Sequence, residues 1–193
     1  LSIPGASEVR TSQEAPRVDA VVVVDCASVT RAGTHAPLVE ALSDACVVVD
    51  HHATNPGFGA VNLIDVGAES TTTVLLSWFK HMGIHMDTPL ATALYAGLVT
   101  DTGNFRWGSP AMHTMAAELI GLGVDTRATT AALMDERSVE DLALIGKVLQ
   151  RVERIIAEKT TIVAIFADYD VIADEDPSMV ESMVTFVCSP KNA

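Results

Sequence analysis

Residues 19–52 read DAVVVVDCASVTRAGTHAPLVEALSDACVVVDHH. Two short β-branched runs, Asp19 to Asp25 and Cys46 to Asp50, each end on an aspartate. Apolar residues at every position, rather than at alternate ones, mark strands buried on both faces. Between them Pro37 to Leu42 fits a short helix, and strand, crossover helix, strand is the βαβ unit of a parallel sheet. A weaker third strand is expected at Ala60 to Ile64. The fold class follows: α/β, with a doubly wound, mostly parallel sheet and flanking helices.

Outward from this stretch the chain divides into three. Residues 1–18 form a polar lead-in with Pro, Gly and Ser at turn-forming places. Residues 19–158 carry the main domain, whose later part is helical. Ser70 or Thr71 caps a helix to Met82, which Gly83 stops. Thr88-Pro89 opens another, running to about Val99. Further helices fit Pro110 to Leu122, Thr126 to Met134 and Ser138 to Glu158, the last opened by Ser138 and Asp141 in the manner of a capping box. Residues 159–193 read as a linker and the start of a second domain, with a strand at Lys159 to Asp168 and an amphipathic segment at Pro177 to Cys188.

Composition narrows the function classes. The 193 residues, 49% of them apolar, exclude a disordered tail and fit one domain with the start of another. Apolar runs fall far short of the roughly 20 residues of a membrane span, so no membrane partner is expected. No secretory signal opens the chain, and Cys26, Cys46 and Cys188 suit reduced thiols, so a cytoplasmic setting is expected. Twelve Lys and Arg against 25 Asp and Glu give a net charge of −13. That charge repels long duplex nucleic acid. A small phosphorylated substrate, held locally through metal ions, remains compatible with it.

Three loci carry chemistry. Asp25 ends the first strand, Asp50, His51 and His52 end the second, and Asp101 ends the apolar stretch YAGLVTD. Ligands of open parallel sheets bind outside the carboxyl ends of strands, so the three loci are expected to converge on one crevice. Carboxylate with imidazole is a ligand set for Mn, Fe, Zn or Co. Around them, Arg106 could contact a phosphate, while Asn55 and Gly57-Phe58-Gly59 could shape the pocket. Ser70 and Thr71, at a helix start, offer hydroxyls and N–H groups to an anion, or simply cap the helix. Trp78, Phe79, Trp107 and the Met-rich segment 112–115 read as core rather than as stacking platforms.

The motifs VVVVDCAS, VVVDHHATN and GLVTDTGNFRW, in that order, resemble those of the DHH phosphoesterases. DHHATNPGFGAVNLID and ESTTTVL resemble most closely the bacterial nanoRNases that also act on 3′-phosphoadenosine 5′-phosphate (pAp). The resemblance covers roughly residues 18 to 190. It implies a two-metal, usually manganese-dependent hydrolase, with Mg²⁺ or Co²⁺ as alternatives, acting on short RNA or a nucleotide. Asp25 would bridge two metals, His51 and Asp101 would complete one shell, His52 would face the phosphate, and Asp50 would orient a histidine. Two family features are absent: the early Asp-x-Asp motif and the C-terminal DHHA1 domain. Weak cation binding, slow turnover and a sheet edge open to a second copy, as in a homodimer, are therefore expected. Other readings are a cyclic-dinucleotide phosphodiesterase, an exopolyphosphatase or pyrophosphatase, and an inactive fragment.

Overall fold

A computed structural model describes residues 3–12, 14, 16–135, 137–157, 160–173, 180, 183 and 186. The β-branched runs form strands β1 (Val21–Val24), β2 (Cys46–Asp50) and β3 (Val61–Ile64), paired in parallel in the order β1-β2-β3. The register sets Val24 beside Val49 and Asp50 beside Ile64, so β1 and β2 both end at the same rim of the sheet. With the helices that flank it, this is the expected α/β architecture.

Central β2 is the buried strand, with Val48 and Val49 wholly enclosed. β1 departs from the expectation of burial on both faces: Val22 and Val24 are 59% and 49% exposed. It stands at the end of the sheet, and no described element covers the face those two valines present. The crossover passes through tight 3₁₀ turns at Val29–His35 into α1 (Ala36–Ala41), where Pro37 suits the first turn. Val39 packs on Cys46 and Val48. A groove of about 570 Å³ is lined by β1 and this crossover and reaches Asp25.

The helical layer follows its capping signals. Ser70 caps α2 (Thr71–His81), Asp87 caps α3 (Thr88–Asp101), Ser109 caps α4 (Pro110–Gly121) and Asp125 caps α5 (Thr126–Thr130), each side chain accepting a backbone N–H. A π-helical turn continues α5 over Ala131–Asp135. Leu76, Leu94, Leu98, Met112, Met115 and Leu119 build the core of this layer, so the Met-rich segment is core as expected. Each fully buried side chain of this size stabilises the fold by about 1.5–3 kcal/mol. Gly97 sets how closely α2 and α3 approach. A Cβ there would lie 2.3 Å from Thr72 Cγ2, so any side chain would push the start of α2 off the end of α3.

Residues 1–135 form one compact unit and residues 136–193 another. The second opens with α6 (Val139–Leu149), where Ser138 and Asp141 exchange hydrogen bonds in a full capping box. The helix expected to reach Glu158 ends at Leu149, and β4 (Val152–Ala157) pairs antiparallel with β5 (Thr160–Ile165). Val152, Ile155 and Ile156 fit helical spacing, but they are β-branched and find cross-strand partners such as Ile162 opposite Ile155. A short α7 (Tyr169–Ile172) follows, and Arg151 pairs with Asp168. Leu144, Ile145, Val148 and Met183 form this unit's core. The expected segment at Pro177 to Cys188 lies outside the described residues apart from 180, 183 and 186. Cys26 and Cys46 are free, buried thiols. Among the described residues no helix is long and apolar enough to cross a membrane.

Candidate metal centre

Asp25 leaves β1 in a left-handed conformation, φ 54°, which Asp tolerates better than most residues at a cost of about 1 kcal/mol or more. Its amide donates to the Val49 carbonyl, and its Oδ1 accepts from Thr71 Oγ1 at 2.8 Å. The first turn of α2 thus fixes the carboxylate at the end of β1.

His51 follows β2 with its ring held from behind. Its Nδ1 lies 3.2 Å from the Ala68 carbonyl, which can only accept, so Nδ1 carries the hydrogen and the neutral ring keeps its lone pair on Nε2. That Nε2 stands 3.7 Å from Asp25 Oδ1 and 3.8 Å from Asp101 Oδ2. Two carboxylate oxygens thus flank the lone pair of His51 Nε2. Ligand bonds of about 2.0–2.2 Å put neighbouring donor atoms roughly 3–3.6 Å apart, close to the separation of His51 Nε2 from each of the two carboxylate oxygens. A backbone carbonyl behind a ligating imidazole is also the usual way such a ring is oriented. The donor set fits a divalent cation.

Asp101 reaches this point from the end of the helix expected to close near Val99, and not from the end of a strand like Asp25 and Asp50. It is the last residue of α3. A helix C-terminus carries negative partial charge, which adds to the field of the carboxylates and favours a cation. Burial, and then the neighbouring Asp25 charge, push the Asp101 carboxyl above the usual range, with His51 and His52 partly opposing them.

Asp50 is treated differently. It is fully buried, and its oxygens accept from His52 Nδ1 at 2.7 Å, Asn55 Nδ2 at 2.6 Å and the amides of His51 and His52 at 2.8 and 3.3 Å. Burial pushes its carboxyl up, but these donors outweigh burial and hold it below the usual range. The His52 ring is thereby fixed through Nδ1, which leaves Nε2 as its free nitrogen. The possible ligand atoms of Asp25, Asp50, His51 and His52 all lie within 4.8 Å of one another.

The remaining candidates fall into place less directly. Asn55 is a brace: its Nδ2 donates to Asp50 and to the Cys26 carbonyl, and its Oδ1 accepts from Gly57. It ties the loop after β1 to the loop after β2 and has no amide hydrogen left for a substrate. Ser70 is fully buried, its hydroxyl bonded to Thr72, Thr73 and the Thr73 amide, so capping replaces the substrate contact considered for it. Thr71 uses its hydroxyl on Asp25. Arg106 is exposed on the turn that follows Asp101. Trp107, read from sequence as core, is 57% exposed and donates its indole N–H to the Asp101 carbonyl at 2.8 Å. The Ala68 carbonyl and the Thr71–Asp25 bond carried no signal in residue type, because both depend on how α2 meets the strands.

No protein-family profile matches the chain. A Thermus thermophilus protein named bifunctional oligoribonuclease and PAP phosphatase NrnA is 35% identical over 106 residues, which is 54% of this chain and 32% of that protein. An A-adding tRNA nucleotidyltransferase of Aquifex aeolicus is 30% identical over 112 residues, 56% of this chain but 13% of the relative. The chain thus spans a third or less of these curated relatives' length. An exopolyphosphatase-related protein of Bacteroides fragilis shares the fold, with a TM-score of 0.77 over 90% of this chain and 52% of that one, at 20% identity. In motifs and sequence this chain is similar to DHH-family phosphoesterases, and in fold to an exopolyphosphatase-related protein.

Proposed function

We propose that the chain carries the metal-binding half of a phosphoesterase that hydrolyses short oligoribonucleotides, pAp or both. The observation that carries this reading is the meeting of His51 Nε2 with two carboxylate oxygens at 3.7 and 3.8 Å, its other nitrogen engaged by a carbonyl. Asp25, His51 and Asp101 would hold a divalent cation, Mn²⁺ by resemblance with Mg²⁺ or Co²⁺ as substitutes. A cation bound there would supply the Lewis acidity that makes water nucleophilic near neutral pH, and Asp25 would be the residue available to a second ion. The chain's own groups do the rest. His52, its Nδ1–H locked on Asp50, presents Nε2 to a phosphate oxygen. Asp50 keeps that ring in one orientation, Asn55 keeps Asp50 in place, and Thr71 aims Asp25. Arg106 is the nearby exposed cation in sequence, suited to a phosphate. The sequence match to an oligoribonuclease and PAP phosphatase supports a short nucleotide substrate.

An assay with excess Mn²⁺ tests the reading, with pAp, an RNA dinucleotide, a cyclic dinucleotide and polyphosphate as substrates. Turnover is expected to be slow, because among the described residues three ligands are assigned to one cation and Asp25 alone to a second. The decision therefore rests on ratios. Cleavage of pAp or the dinucleotide should stop with chelator and fall about 100-fold or more in Asp25→Ala. Preferred cleavage of polyphosphate or the cyclic dinucleotide would move the function to those chemistries. Cation binding without cleavage of any of them would leave an inactive binding domain.

A further inference from the structure

We propose that the exposed face of Trp107 is a stacking platform for the nucleobase of the nucleotide whose phosphate meets Asp25, His51 and Asp101, an inference that rests on the nucleotide reading above. An indole that is 57% exposed gains little from packing, yet this one is held firmly. Its N–H is bonded to the carbonyl of Asp101, whose carboxylate stands 3.8 Å from His51 Nε2. The benzo half of the ring lies against Gly103, where a Cβ would come within 2.2 Å of Trp107 Cη2. The ring is thus anchored to the residue whose carboxylate meets His51.

The turn that presents it is strained in a way that fits a built site. Gly103, Asn104 and Phe105 are all left-handed, with φ of 55°, 59° and 64°. For Phe105 this is a true outlier, and such conformations persist only where surroundings over-determine them. Here the Phe105 ring stacks on His113 at 5.7 Å and meets Tyr95 at 6.0 Å, and its amide is bound by Thr102 Oγ1. The core therefore holds the turn, and the turn sets Arg106 and Trp107 beside Asp101.

The chemistry of the contact follows from what the indole has left. Its only donor is already used, so it can meet a base by its π face alone. Every base has such a face, and stacking of this kind changes affinity by roughly 10- to 100-fold without reading sequence. The platform would select nucleotides over base-free phosphoesters while accepting any base.

The chain has two tryptophans, so Trp78→Phe leaves Trp107 as the sole indole reporter. With Mg²⁺ present, pAp should quench its emission and ribose 5-phosphate should not. Trp107→Leu should weaken pAp binding, measured by equilibrium dialysis, roughly 10- to 100-fold and leave ribose 5-phosphate binding unchanged. Trp107→Phe keeps a ring without the N–H and should recover most of the affinity, which a purely structural role for the Asp101 bond would not allow. Should Trp107→Leu fail to fold, the quenching titration decides alone. Binding of pAp with no quenching would overturn the platform and leave the nucleotide reading standing. A wild-type chain that binds pAp no better than ribose 5-phosphate, or binds neither, would overturn both.

Discussion

Asp50 and Asp101 belong to one cluster and are held in opposite ways. Asp50, at the end of β2, lies fully enclosed among four donors and is held below the usual carboxylate range. Asp101, at the end of α3, faces Asp25 and the lone-pair side of His51, at the negative end of a helix, and is pushed up. A carboxylate whose lone pairs are already matched by donors would have to break those bonds to ligate. One set among like charges gains from a cation. The contrast separates the residue that builds the site from one that would use it.

The largest expected effect breaks the first half of this contrast. Asp50→Ala leaves buried donors from His52, Asn55 and two amides without an acceptor. A loss of about 3–5 kcal/mol is expected, read as a fall in the urea midpoint. A loss below about 1 kcal/mol would mean that water replaces the carboxylate and that Asp50 is not the keystone of the loop.

Asp101→Asn tests the other half and should do the reverse. Stability should stay within about 0.5 kcal/mol of wild type or rise, because a repulsion with Asp25 is removed. Affinity for Mn²⁺, measured by titration calorimetry, should fall tenfold or more, since even residues that only orient ligands contribute 10- to 100-fold. Unchanged affinity would remove Asp101 from the ligand set.

Much of this was legible before any coordinates. β-branched runs ending on Asp25 and Asp50 gave the parallel strands, because such runs have few other stable uses, and the caps at Ser70 and Ser138 follow from local chemistry. The helix before Asp101 was legible to within two residues, but not that the end of a helix, rather than of a strand, would bring Asp101 to the cluster. Nor was the end of α6, where Val152, Ile155 and Ile156 satisfy both periods and only pairing with β5 decides. Asn55 and Thr71 were picked out as polar groups near the site, but polarity alone does not tell a substrate contact from an internal brace. Trp107 was misread because its exposure depends on three left-handed residues, and one of those, Phe105, is a type that rarely adopts that conformation.

That turn also gives a smaller test of how Asp101 is held. Gly103→Ala places a Cβ into the Trp107 ring and an ordinary residue at φ 55°. A cost of about 1–2 kcal/mol is expected from the left-handed conformation and the displaced ring. The displaced ring should press on the end of α3 and thereby also weaken Mn²⁺ binding. A destabilised variant with unchanged metal affinity would show that the turn holds the fold but not the carboxylate.

Glu69 offers the mildest version of the comparison, a half-buried carboxylate with its donors supplied. Burial pushes it up, but the Ser109 hydroxyl and amide, the latter at 2.9 Å, outweigh burial and hold it below the ordinary glutamate range. The folded chain therefore binds this proton less tightly than the unfolded chain does. Its contribution to stability is complete above the unfolded value of about 4.3 and is lost as pH falls toward the lower folded value. Asp50 has the same sign and is present in both wild type and Glu69→Gln, so the difference between the two isolates Glu69. Urea midpoints should show Glu69→Gln less stable at pH 7, by under about 1 kcal/mol. The gap should narrow as the pH is lowered from about 5 to 3, as protonation deprives the wild-type chain of the charged acceptor. A gap that widened in acid would mean that Glu69 is more easily protonated in the folded chain, and would group it with Asp101 instead of Asp50.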